Sequence, residues 1–291
     1  MTRKRLRRLA PGEQIATHLT VVGAIDTGGH DPVYIVWHGP AWCAMCCKLF
    51  RDPEQARWEA DALSRLSHPG IVRLLEDGAP HYLLTEFLEG SPLDRLLARR
   101  PRNRLAVGDA LRVACHLGAA LAHLHERGLA HLDVKPANVI VTRRRPVLFD
   151  LGTARPLDDR PLGHPEGTDA YMAPEQATGG VAGRASDVWG LGVTLYQMLA
   201  GRRPFEPASR AKPFPQLDAP APALRTFRPR AGEALDRLLA RCLAREPADR
   251  PALTELLPAL NDLIPAGPRM WPTVVGEPGR NLRHSLAAST R

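Results

Sequence analysis

The sequence predicts an α+β chain: a small antiparallel-sheet lobe carrying one helix, then a larger helical lobe. Three observations lead there. Short apolar and β-branched runs between turn residues dominate up to about residue 88. One capped helical segment, starting at Asp52, interrupts them. From about Leu93 onward the apolar residues recur at helical spacing. A strand-rich lobe followed by a helical one implies a cleft between the two.

The chain divides into a basic segment (1–14), the strand-rich lobe (15–88), the helical lobe (89–264) and a Pro/Gly/Arg-rich segment (265–291). Both end segments read as solvated and disordered. In the first lobe, Val33–Trp37, Met45–Phe50 and His81–Phe87 read as strands. Asp52 suits a helix cap, Pro53 its first position, and Gln55 completes an Asp-x-x-Gln box. That helix runs to about Leu66, with Trp58, Ala62, Leu63 and Leu66 on one face. In the second lobe, Asp109 is expected to cap a helix carrying Leu111, Leu117, Leu121 and Leu124, which Gly128 ends. Asp187–Leu199 is apolar around most of its circumference and so reads as a buried helix. Gly232–Leu243 and Leu253–Leu263 are two more helices. Proline crowds residues 201–231, which marks a long connection.

Composition narrows the function classes. Of 291 residues, 44% are apolar, enough for a buried core, yet no run of about 18 uncharged apolar residues occurs. No transmembrane segment is expected, and the basic start has no apolar run behind it to make a secretory signal. The net charge of +8 resides mostly in the two end segments. A nucleic-acid-binding fold carries its charge on the folded surface, so nucleic acid is not an expected partner. Five cysteines make no disulfide framework in a chain this long. Cys43, Cys46 and Cys47 lack a second ligand pair at zinc spacing and read as core packing of a strand. Reduced thiols imply a cytoplasmic setting.

The chain holds 35 arginines and only four lysines: Lys4, Lys48, Lys135 and Lys212. A lysine set in a strand or an apolar loop therefore points to a need for a compact point charge, such as a phosphate ligand. Lys48 ends the cysteine strand, and Lys135 lies in His131-Leu-Asp-Val-Lys-Pro-Ala-Asn138. Two apolar strands, Val139–Val141 and Val147–Phe149, joined by a short Arg-rich turn, would bring Asn138 and Asp150 to neighbouring strand ends. An amide oxygen and a carboxylate there make a hard-oxygen site suited to magnesium. Asp133 would lie close by, able to accept a proton from a hydroxyl.

These landmarks resemble, in order, those of the eukaryotic-like serine/threonine protein kinase family, particularly its bacterial members. The resemblance spans roughly residues 18–264. It implies a bilobal protein-kinase-like fold and transfer of the ATP γ-phosphoryl group, with Mg2+, to Ser/Thr hydroxyls of protein substrates. Lys48 matches the phosphate-binding lysine, Glu59 its ion-pair partner, Asp133 the catalytic base and Lys135 the lysine that neutralises the transferring group. Asn138 and Asp150 match the metal ligands. Thr85 resembles the gatekeeper, Glu86 and Leu88 the hinge, and Val33, Cys46 and Ile140 the adenine contacts. Gly167–Met172 and Ala173-Pro-Glu175 resemble the close of the activation segment. Arg250 is expected to pair with Glu175.

The chain also departs from that pattern. Gly28 and Gly29 match the phosphate loop, but Asp26 and Asp31 stand where glycines are usual. Leu132 replaces an arginine that, in many kinases, pairs with a phosphate on the activation segment, and Leu151 replaces a phenylalanine. Ordering of that segment is expected from pairs among Arg155, Asp158, Asp159 and Arg160, or from a regulatory partner protein. The competing functions are a pseudokinase acting as a nucleotide-sensing or scaffold module, and a small-molecule phosphotransferase. Oligomeric state is not readable from the sequence.

Overall fold

The computed structural model describes residues 7–26, 31–206 and 213–265. They form two compact units, one of them reaching Ser67 and then Val72–Glu89, the other comprising His68–Ile71 and Gly90 onward.

The first unit is a six-stranded antiparallel sheet: β1 (Gln14–Ala16), β2 (Leu19–Asp26), β3 (Val33–His38), β4 (Cys43–Leu49), β5 (Leu74–Gly78) and β6 (Tyr82–Glu86), in the order β1-β2-β3-β4-β6-β5. Period-two alternation sends Tyr34, Val36, Met45, Cys47 and Leu84 into one buried face. The other face carries Val33, Lys48, Cys46 and Thr85, because Val33 pairs with Lys48, and Cys46 with Thr85. Of the cysteines read as core, Cys47 is buried, Cys46 is half-buried and Cys43, at the hairpin end, is exposed. Helix α1 (Pro53–Ser64) starts as expected, with the Asp52 carboxylate accepting from Glu54 N at 2.9 Å. Its buried face is Ala56, Glu59, Ala60, Ala62 and Leu63, with Trp58 only half-buried.

Residues 7–13 are mostly exposed, but Leu9 and Glu13 are tied to the sheet. Leu9 packs against the sheet and its N–H donates to the Tyr34 hydroxyl at 3.0 Å, while Glu13 O accepts from Val21 N at 2.8 Å.

The second unit opens with β7 (Gly90–Pro92) and α2 (Leu93–Ala98), then α3 (Val107–Glu126). Asp109 is not the cap of α3. The helix begins earlier, at Val107 with Ala106 as its N-cap, where Leu105 N is tied to Met198 O at 2.8 Å, and Asp109 sits in the first turn beside Arg112. Gly128 ends the helix at φ 75°, a backbone state glycine adopts without strain. Then come β8 (Leu129–Ala130), β9 (Val139–Thr142), β10 (Pro146–Leu148), β11 (Arg155–Pro156) and α4 (Pro174–Ala177). The strands pair as β10-β9-β7 and β11-β8. Helix α5 (Arg184–Ala200) is buried along nearly its whole length, as its sequence implies. It packs so closely on α6 (Glu233–Cys242) that a Cβ on Gly192 would lie 2.9 Å from that of Cys242. Helix α7 (Leu253–Asp262) completes the unit. The proline-rich connection forms only short 3-10 turns among its described residues.

Candidate active site

In the first unit, the strand ladder places Lys48 and α1 places Glu59. Lys48 Nζ donates to Glu59 Oε2 at 2.7 Å, with Glu59 buried. Val33, Cys46 and Thr85 share the face of Lys48. Burial pushes the Cys46 thiol up to about 11, against the Thr85 hydrogen bond and the charge of Lys48. Glu86 caps the end of β6, its N–H donating to Arg73 O and its carboxylate accepting from Arg73 N, both at 3.1 Å. Leu88 follows, half-buried. Gly28 and Gly29 lie outside the described residues. Asp31 has a structural task, since its carboxylate accepts from Arg51 N at 3.1 Å.

The second unit gathers Asp133, Lys135 and Asn138 within hydrogen-bond reach. Lys135 Nζ donates to Asp133 Oδ2 at 2.6 Å and to Thr168 Oγ1 at 2.5 Å. Asn138 Nδ2 donates to Asp133 O and to Oδ2, both at 3.0 Å. That fixes the amide and leaves Asn138 Oδ1 as its acceptor for another group. Asp133 Oδ1 is buried with no hydrogen-bond partner among the described residues. The β9–β10 hairpin brings Asp150 next to this loop as expected: Val139 pairs with Leu148, and Phe149 N donates to Asn138 O at 3.0 Å. Ile140 sits on β9 facing away from buried Val139 and Val141. Leu132 and Asp150 both hold φ above +60°, at 62° and 66°. Non-glycine residues seldom adopt that state, and it recurs at sites the surroundings over-determine.

Sequence reasoning missed what holds this loop. Asp187, fully buried at the start of α5, accepts from His131 N at 2.9 Å, Leu132 N at 2.8 Å and His125 Nε2 at 2.8 Å. Gln176 Nε2 donates to Leu132 O at 2.8 Å, and Thr153 Oγ1 to His131 O at 3.0 Å. The available signal was a carboxylate inside an apolar helix, since a buried charge needs donors. The expected Glu175–Arg250 pair is present and bidentate, at 2.7 and 2.8 Å. Arg250 also donates to the carbonyls of Ala185, Ala244 and Arg245, which uses all its N–H groups.

The activation segment is held in part as expected. Arg160 pairs with Asp158, but Arg155 pairs with Glu166, a partner the sequence reading did not include. Leu132 joins an apolar cluster with Ala130 and Ala182, against which Leu157 and Leu162 pack. Leu132 is thus held by apolar contact.

A second cluster, His18, His38 and Glu76, has ligand atoms within 4.8 Å of one another. Ala41 N donates to His38 Nδ1 at 2.9 Å, which places that ring's proton on Nε2, toward Glu76. Tyr82 OH also donates to Glu76. These bonds make the cluster a strut between strands.

An antiparallel sheet with one helix in one unit, and a helical unit carrying a pinned Asp-x-Lys-x-x-Asn loop, define a protein-kinase-type domain. The protein kinase domain family matches residues 31–259, and the chain belongs to that family. It is 36% identical over 222 residues to serine/threonine-protein kinase pkn3 of Myxococcus xanthus, covering 69% of this chain and 40% of that protein. It is 39% identical over 201 residues to serine/threonine-protein kinase PknA of Mycobacterium tuberculosis, covering 62% and 46%. A crystal structure of the Mycobacterium tuberculosis PknI kinase domain superposes with a TM-score of 0.68 at 27% identity, covering 88% of this chain and 100% of that one. The chain spans less than half the length of the curated relatives it matches.

Proposed function

We propose that the chain is a protein kinase that transfers the γ-phosphoryl group of ATP to serine or threonine hydroxyls of proteins in the cytoplasm. The observation that carries this reading is the Asp133 carboxylate. Lys135 and Asn138 occupy one of its oxygens, while the other is buried and has no donor among the described residues. An incoming hydroxyl supplies such a donor, and the same oxygen then takes its proton. Lys135, already on Thr168, neutralises charge on the group in transfer. Lys48, aimed by Glu59, holds the α- and β-phosphates. Asn138 Oδ1 and the Asp150 carboxylate form a hard-oxygen donor pair that fits magnesium, which would offset phosphate charge there. Val33, Cys46, Thr85 and Ile140 serve the adenine ring, with backbone groups of Glu86 and Leu88 as its hydrogen-bond partners.

The test is purified chain with labelled ATP, magnesium and a generic protein acceptor, beside a nucleotide-binding measurement. The expected result is phosphoserine or phosphothreonine on the acceptor, lost when magnesium is chelated. Nucleotide binding without transfer would make the chain a pseudokinase; transfer to small molecules alone would make it a small-molecule phosphotransferase.

A further inference from the structure

Residues 100–102 and 104–106, between α2 and α3, Asp109 on α3, and residues 227–230, ahead of α6, line a cavity of about 750 Å³ within the second unit. Five arginines surround it: Arg100, Arg102, Arg104, Arg228 and Arg230. The carboxylate among its lining residues, Asp109, is already 3.2 Å from Arg112. This chain uses arginine wherever a cation will do, so exposed arginines alone would decide nothing. Arg104 and Arg228 are different because they are half-buried and fixed. Arg104 Nη1 donates to Phe227 O at 3.1 Å, and Arg228 Nη1 to Leu105 O at 2.7 Å and Leu199 O at 3.1 Å. Burial, and then the charge of Arg104, push the Arg228 guanidinium below its ordinary value. Keeping like charges together in a half-buried place is unfavourable unless an anion meets them.

Two further features suit an anion with an organic body. Ala106, the N-cap of α3, lines the cavity and supplies no side-chain acceptor to the first N–H groups of that helix, whose first turn holds Asp109, already paired with Arg112. Leu105 and Phe227 give the cavity an apolar wall. Its volume falls within the roughly 300–1,000 Å³ of small-molecule sites.

We infer that this cavity binds a phosphate monoester carried on an apolar or aromatic group. The forked guanidiniums match phosphate oxygens, and the wall takes the organic part.

The test uses the full chain, with magnesium and a non-hydrolysable ATP analogue present, titrated with phenyl phosphate at low salt. Saturable binding is expected, weakened about tenfold or more when Arg102→Ala and Arg230→Ala are combined. Both side chains are exposed, so the variant leaves the fold intact. High salt should weaken binding as well, and inorganic phosphate should bind more weakly than phenyl phosphate. No saturable binding, binding unchanged in the double variant, or inorganic phosphate bound as tightly as the ester overturns the inference. A phosphothreonine peptide separates the sources. Binding tighter than that of phenyl phosphate assigns the phosphate to a protein; equal or weaker binding assigns it to a small molecule.

Discussion

The loop at 131–138 and the strand around Lys48 both carry candidate site residues, but they are held in opposite ways. The loop has no ladder of its own, so its backbone groups are satisfied by side chains: Asp187 on the N–H groups of His131 and Leu132, Gln176 on the carbonyl of Leu132, Thr153 on that of His131. Leu132 is thereby kept in a left-handed conformation that costs of order 1–2 kcal/mol. Lys48 needs none of this. The sheet places its backbone through β3 and β6, and the ion pair to Glu59 aims its side chain. A site residue on a regular element inherits its position; one on a loop has it built from remote parts of the chain.

The largest expected effect falls on the loop side. Asp133→Asn should lower turnover by about 10²–10⁴-fold while nucleotide binding stays nearly unchanged. Turnover at the wild-type rate would show that Oδ1, without a partner among the described residues, is not the base.

Arg250→Met strikes the anchor at the end of the activation segment. It leaves Glu175 and three carbonyls short of donors, and removing one partner of a buried pair costs about 3–5 kcal/mol. Chemical denaturation measures that loss directly; a change below about 1 kcal/mol would mean that the segment has other supports.

Glu59→Gln isolates the strand side. Because the ladder still places Lys48, we expect a loss in kcat/KM of about 10²-fold or less, with little change in stability. A loss as deep as that of Asp133→Asn would erase the contrast between the two regions.

Thiol labelling probes the same strand more gently. Burial pushes Cys46 up to about 11 and Cys47 up to about 12, so both remain thiols at pH 8, whereas Cys43 is exposed. Alkylation of the native protein should modify Cys43 first, and Cys46 and Cys47 only after unfolding. Early labelling of Cys47, followed by peptide mass mapping, would reveal a strand that opens.

The smallest expected effect is none. Leu132 cannot pair with a phosphate and instead packs with Leu157 and Leu162, so phosphatase-treated protein should transfer phosphate as fast as untreated protein. A steep loss, with a phosphate mapped inside residues 153–171, would overturn that reading.

Local chemistry was legible without coordinates. The Asp52 cap, the Gly128 terminator and the short hairpin joining Asn138 to Asp150 each depend on residues a few positions apart, and backbone geometry alone relates them. The lysine count singled out Lys48 and Lys135 for a similar reason, because a chain that otherwise spends arginine marks its exceptions. Tertiary structure decided the rest. It started α3 ahead of Asp109, where Leu105 is tied to the end of α5, gave Arg155 to Glu166, folded Leu9 onto the sheet and set Asp187 beneath a loop 55 and 56 residues away. Those partners are chosen by burial: a carboxylate or carbonyl removed from water takes whichever donor the packing brings to it, and no spacing rule along the chain names that donor.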